Sequence, residues 1–122
     1  DSKDATDLEG NPIELKSTTQ ARIQGTYNGL TAKETEEEFI EYMNKKYPNN
    51  TRHIFVRKDN GTIAEAWEVN NDIILDIVTG KVLKNWYTDG LYDRKGRGDP
   101  RPGANVCMTE IKKHGEKIEL YR

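Results

Sequence analysis

Apolar and polar residues alternate along this chain with two different periods, and each change of period marks an element. Residues 12–16, Pro-Ile-Glu-Leu-Lys, alternate with the period of two that an extended strand requires. That places Glu14 and Lys16 on one face and turns Leu15 to the other, where it is expected to anchor in a core. Gly10-Asn11 supplies a turn ahead of the strand, so Asp4 falls on the preceding arm of a hairpin. Residues 21–27 read as a second strand, with Ala21, Ile23 and Gly25 alternating inward. The period then lengthens, and Phe39, Ile40, Met43 and Tyr47 fall on one stripe of a helix. Thr31, with Glu34 three residues later, reads as the capping box that opens it. Glu34, Glu36, Glu37 and Glu38 crowd its first turns and Lys45 and Lys46 its last, matching both ends of the helix dipole, and Pro48 stops it.

Period two returns in residues 53–57 and 63–69, which predict a hairpin around Asp59-Asn60-Gly61. Residues 72–86 read two ways. They could form a hairpin turning at Thr79-Gly80, or one helix capped by Asn71 or Asp72, because Ile74, Val78, Val82 and Trp86 recur every four residues. Gly80 would cost such a helix about 1 kcal/mol relative to alanine, and periodicity alone does not choose. Residues 89–103 form a loop rich in Gly, Pro and Arg, carrying Arg94, Lys95, Arg97 and Arg101. Residues 106–111 and 117–121 are expected to close the sheet as a strand pair around His114-Gly115. No repeat or linker interrupts the series, so a single α+β domain over residues 1–122 is expected.

Charge narrows the choice of partners. With a net charge of −2 the chain has no global basic field, so any contact with nucleic acid must come from local patches. The single Cys107 rules out an intrachain disulfide and a cysteine zinc site; between Val106 and Met108 it reads as a small buried hydrophobe. His53 and His114 are too few and too far apart for a metal cluster. No apolar run approaches the ~20 residues that span a bilayer, and no signal peptide is evident, so a cytoplasmic protein without a membrane partner is expected. The Asn49-Asn50-Thr51 and Asn60-Gly61-Thr62 sequons sit in turn-like segments and read as ordinary turn residues.

The chemistry with most content lies at the first strand. Asp4, then Glu14-Leu15-Lys16, sets two carboxylates that could hold Mg²⁺ and a lysine one pleat away that can reach the same pocket. Taken alone, Glu14 and Lys16 equally describe a charge pair on a solvated strand, worth ~0.2–1 kcal/mol. Asp7 competes with Asp4 as the first acid.

The run from Lys3-Asp4-Ala5-Thr6-Asp7 to Glu14-Leu15-Lys16-Ser17 resembles the active-site hairpin of the PvuII-like type II restriction endonucleases, in the PD-(D/E)xK nuclease superfamily. Trp86-Tyr87-Thr88-Asp89-Gly90 is similar to the family's Trp-Tyr-Ser-Asp-Gly, and His114-Gly115-Glu116-Lys117-Ile118 to its terminal His-Gly-x-Lys-Ile. Lys46-Tyr47 and Ile54-Phe55 resemble the end of a family helix and the strand after it. The likeness therefore touches most of the chain in islands. It implies a restriction-endonuclease-like core with a central mixed sheet flanked by helices, and favours a helix over residues 71–86.

The resemblance also implies a function: Mg²⁺-dependent, sequence-specific hydrolysis of double-stranded DNA by a homodimer. Asp4, Glu14 and Lys16 would be catalytic, and Asp4, Glu14 and the Leu15 carbonyl the metal ligands. Asp4 is selected over Asp7 by the family spacing, and Tyr47 stands near the pocket in a secondary role. DNA contacts are expected from Gln20 and Arg22 in the segment after the strand, and from Arg94, Lys95, Arg97 and Arg101, since arginine pairs bidentately with guanine. The family's histidine-rich reading segment and Asn-Asn loop have no counterpart here, which implies a different target sequence or weaker specificity. Its N-terminal dimerisation region has none either, which leaves the expected dimer to form by other surfaces or the chain to act as a single centre. Two other functions stay open: a structure-selective or nicking nuclease of the same fold, and a non-catalytic binding module.

Overall fold

The computed structural model of the chain describes residues 5–88 and 101–120. Asp4, Arg94, Lys95 and Arg97 lie outside the described residues.

The organising element is a five-stranded sheet. It comprises β1 (Ala5–Thr6), β2 (Pro12–Thr18), β4 (Arg52–Asp59), β5 (Thr62–Val69) and β7 (Glu116–Lys117), in the order β1-β2-β4-β5-β7. β2 and β4 run parallel and the remaining pairs antiparallel, so the sheet is mixed. A parallel pair needs a crossover, and the chain between β2 and β4 supplies one containing β3 (Gly25–Tyr27) and helix α1 (Glu36–Lys46). α2 (Asn71–Val82) follows β5 and runs into a π-helical turn, Leu83–Thr88. β6 (Ala104–Val106) pairs with β3 as a second, two-stranded sheet, and α3 (Met108–His114) precedes β7. The domain is thus α+β, as expected.

Register divides the main sheet into two unlike faces. Glu14, His53 and Val69 align across it, as do Lys16, Phe55 and Trp67. The core lies on this side, where Phe55 and Val69 meet Phe39 and Met43 of α1, Ile74, Val78 and Val82 of α2, and Ile111 of α3. Ile13, Leu15 and Ser17 point the other way, beside Arg52, Ile54 and Val56. Leu15 is therefore no core anchor: it stays 47% exposed, because the described helices gather against the opposite face.

Several sequence expectations hold. The β4–β5 hairpin turns where Asn60 and Gly61 take φ of 52° and 80°, the paired left-handed conformations of a type I′ turn. The ambiguous stretch is a helix, but its cap is Asn70 rather than Asn71 or Asp72, since the Asn70 side chain accepts the Asp72 amide at 2.8 Å. Its α-helical part ends at Val82, with Trp86 in the π-helical turn that follows. Ile74, Val78 and Val82 form its buried stripe.

Others need correction. Helix α1 opens one turn later than Thr31 and Glu34 imply: the capping box is Thr35 with Glu38. The backbone before it is held by tertiary bonds, Leu30 N–H to the Pro102 carbonyl and Thr31 N–H to the Tyr42 hydroxyl. Ile40 is 40% exposed, and Tyr42 packs against the core from the same helix. Only residues 25–27 of the expected second strand pair, and they pair with β6; Ala21 is exposed while Ile23 is fully buried. The expected terminal strand pair is not found, since residues 108–114 are helical. Glu110 accepts the Cys107 amide at 3.0 Å, the helix start buries Ile111, and β7 keeps two residues. Cys107 is half-buried at this start rather than a core residue.

Candidate functional site

Glu14 and Lys16 project from the core-facing side of β2, and their side chains meet. Lys16 Nζ lies 3.0 Å from Glu14 Oε2, with side chains only 20% and 19% exposed. Both line a cleft of about 290 Å³, whose opposite wall is the end of α1. Lys45, Lys46 and Tyr47 come from that wall, and Asn28 and Thr51 from neighbouring turns. The sequence explains Lys45 and Lys46 as partners of the helix dipole. The crossover aims that same helix end at the strand, so the two lysines also make the cleft cationic.

Below the cleft runs a buried polar chain. The Tyr27 hydroxyl is 2.7 Å from His53 Nδ1, and His53 Nε2 is 2.7 Å from Asn71 Oδ1. Asn71 Nδ2 donates to the Tyr47 carbonyl at 3.2 Å, which orients the amide and leaves Oδ1 as an acceptor. His53 must then donate from Nε2 and accept at Nδ1, so the Tyr27 hydroxyl is the donor to it. Burial lowers His53 to a pKa of about 4, with Lys16 nearby pushing the same way against the Asn71 bond, so the ring is neutral. Burial, with the negative charge of Glu14 and the neighbouring Tyr47, raises Tyr27 well above the ordinary tyrosine range. Tyr27 in turn presents its ring to Lys16, whose Nζ is 4.4 Å from the ring centroid. The Tyr47 ring stands edge-on to Tyr27 at 5.9 Å.

Gly25 permits this arrangement. A Cβ there would fall 2.6 Å from the Phe55 ring and 2.8 Å from Lys16 Cβ, so only glycine lets β3 pass so close to β2.

The other sequence candidates divide. Asp7 is committed to its turn: Oδ1 accepts the Glu9 and Asn11 amides at 2.9 and 2.8 Å, and Oδ2 meets the Asn11 side chain at 2.9 Å. These bonds, chiefly those from Asn11, hold its carboxyl below the ordinary range. Arg52 joins it at 3.4 Å while gripping Glu68 through two nitrogens at 2.9 and 2.6 Å. Gln20 lines a second groove that shares Lys16 with the cleft, and Arg22 is exposed. Arg101 lies against Gly29, where a Cβ would be 3.2 Å from its Nη1, and is otherwise exposed. Tyr47 lines the cleft but is 5% exposed, serving mainly as packing. His114 ends α3 and is exposed.

Sequence reasoning missed His53. The available signal was its place in β4, alternating with Phe55 on the inward side.

Among the described residues Glu14 is the only carboxylate that lines the cleft, and it is paired with Lys16. No sulfur ligand among them lines the cleft, and both nitrogens of His53 are already engaged. Among the described residues no group of three or more His, Cys, Asp or Glu comes together. Thr51, 6% exposed in the cleft wall, has a buried hydroxyl with no partner among the described residues. No helix of the described residues is long and apolar enough to cross a membrane.

No protein-family model matches this chain, and no curated protein matches it.

Proposed function

We propose that this protein is a Mg²⁺-dependent endonuclease that cuts double-stranded DNA at a specific sequence, as type II restriction enzymes of the PD-(D/E)xK superfamily do. The observation that carries the reading is the Glu14–Lys16 pair at 3.0 Å in a cleft walled by Lys45 and Lys46. An acid that can hold a hard cation, beside three ammonium groups, fits a phosphodiester better than a neutral substrate.

Glu14, the Leu15 carbonyl and Asp4 would hold Mg²⁺. Bound there, Mg²⁺ would supply a more acidic water and charge relief at the phosphoryl oxygen. Lys16 offsets charge on the phosphate and orients the attacking water, seated between Glu14 and the Tyr27 ring. Lys45 and Lys46 bind flanking phosphate oxygens. His53 takes no part in proton transfer, since both its nitrogens are spent on Tyr27 and Asn71. The active species is a homodimer, because one centre cuts one strand and a palindromic site calls for two.

Digestion of a phage genome and of a supercoiled plasmid with Mg²⁺ tests this reading. Discrete genomic fragments and linear plasmid are expected, with loss of both in Glu14→Gln and Lys16→Ala. Fragments that persist in either variant would refute the assigned centre. Open circle as the final product would refute the dimer.

A further inference from the structure

Lys16 stands where two grooves of different chemistry meet. Toward α1, the cleft passes Lys45 and Lys46 and continues over the same two lysines into a groove of about 440 Å³. That groove adds Lys33, Tyr42, Glu38 and Glu41. On the other side of Lys16, a groove of about 350 Å³ is lined by Ser17, Thr18, Gln20, Gln24 and Thr26.

The first arm is cationic and pre-arranged. Lys33 Nζ lies 5.5 Å from the Tyr42 ring centroid and Lys46 Nζ 5.7 Å from that of Tyr47, within reach of cation–π attraction. Lys33 is fixed further by its backbone: its N–H donates to the Tyr87 hydroxyl at 3.1 Å, and its carbonyl accepts from that hydroxyl at 2.6 Å. Of the two acids in this arm, Glu38 is engaged by the capping box, accepting the Thr35 amide and hydroxyl at 3.2 Å each. Glu41 is left against three ammonium groups. The second arm is uncharged apart from Lys16, and offers hydroxyls and two side-chain amides.

These chemistries suit two different parts of one ligand. Ammonium groups meet phosphates whatever the sequence, whereas glutamine matches adenine through paired donor and acceptor contacts. Resting on the endonuclease reading, we propose that a DNA strand lies along both arms. Lys33, Lys45 and Lys46 hold its sugar–phosphate backbone on one side of the scissile position, and Gln20 and Gln24 meet base edges on the other. The lysine arm provides affinity and the amide arm provides selection.

Binding of fluorescent duplexes of differing sequence, without metal and over 50–200 mM salt, separates the two roles. Removing one lysine–phosphate pairing should flatten the log–log salt dependence by about 0.9. Lys33→Ala/Lys45→Ala/Lys46→Ala should therefore lower the slope by roughly 2.7 for every duplex. Arginine at the same three positions should restore it. Gln20→Ala/Gln24→Ala should leave the slope unchanged and compress the differences between sequences. Lys112→Ala/Lys113→Ala, which removes exposed charge from α3, should leave binding as in the parent. An unchanged slope in the lysine triple variant, or an equal loss in the α3 variant, overturns the division of labour while leaving the Glu14 and Lys16 cleavage test standing. A parent protein that binds no duplex and cuts none overturns the endonuclease reading with it. Melting curves confirm that every variant is folded.

Discussion

Tyr27, 1% exposed, is at once a buried hydrogen-bond donor and a ring face for a cation, and the two roles can be separated by substitution. Tyr27→Phe removes the donor to His53 Nδ1 and leaves that nitrogen unpaired, so a stability loss of ~1–3 kcal/mol is expected. The ring remains, so Lys16 keeps its seat and the cleavage rate well below the melting temperature should stay within about twofold. Tyr27→Leu removes the ring as well, and the rate should fall about tenfold, in keeping with the worth of a partly desolvated cation–π contact. Equal rates in the two variants would detach Tyr27 from the placement of Lys16. His53 makes a separate prediction about pH. Its folded pKa of about 4 lies below its ordinary 6.5, so the unfolded chain takes up a proton that the native ring refuses. Stability is therefore full above pH 6.5 and declines as pH falls toward 4, by about 3 kcal/mol if His53 acts alone. Urea unfolding at intervals across that window should show the decline, and His53→Gln should flatten it. A parent curve that is level between pH 6.5 and 4.5 would mean that His53 is charged or solvated in the fold.

At the scale of elements, two threonines compete to open α1. Both Thr31 and Thr35 have a glutamate three residues on, so local sequence offers two capping boxes one turn apart. The structure uses Thr35, whose hydroxyl accepts the Glu38 amide at 3.1 Å. Thr35→Ala should cost ~1 kcal/mol, while Thr31→Ala should stay within about 0.5 kcal/mol, both measurable from urea midpoints. The reverse ranking would move the helix start back to Thr31. Residues 106–111 show a related limit. Val106 and Met108 keep the period of two but Ile111 falls three residues after Met108, as on a helix, and Glu110 fixes the helix start by accepting the Cys107 amide. The four-residue spacing of Ile74, Val78 and Val82 left hairpin and helix open in the sequence, and the structure decides for the helix, which buries all three and runs through Gly80.

Across the whole molecule, the cleft exists because the crossover returns α1 to the strand it left, and because the small sheet packs against the large one at Gly25. The two glycines Gly25 and Gly80 should answer opposite ways to the same substitution. Gly25→Ala drives a methyl into Phe55 and Lys16 and should cost ~1–3 kcal/mol, with loss of cleavage because Lys16 is displaced. Gly80→Ala meets nothing within 4 Å and sits in a helix, so it should stabilise by up to ~1 kcal/mol. Thermal melts of the pair decide it; a neutral Gly25→Ala would mean the sheets are less closely packed than they stand here.

Sequence alone determined what depends on neighbours in the chain. The period-two strand carrying Glu14 and Lys16 on one face, the Asn60-Gly61 turn and the charged ends of α1 all rest on local sterics and amphipathicity. Tertiary structure decided what depends on distance. It left Leu15 on the open face because the described helices gather on the other side. It spent Asp7 on a turn. It turned His53 from an isolated histidine into the centre of a buried chain, by bringing Tyr27 and Asn71 to its two nitrogens. It also gave Lys45 and Lys46 a second role, since a helix dipole explains their place in the sequence but only the crossover aims them at Glu14 and Lys16.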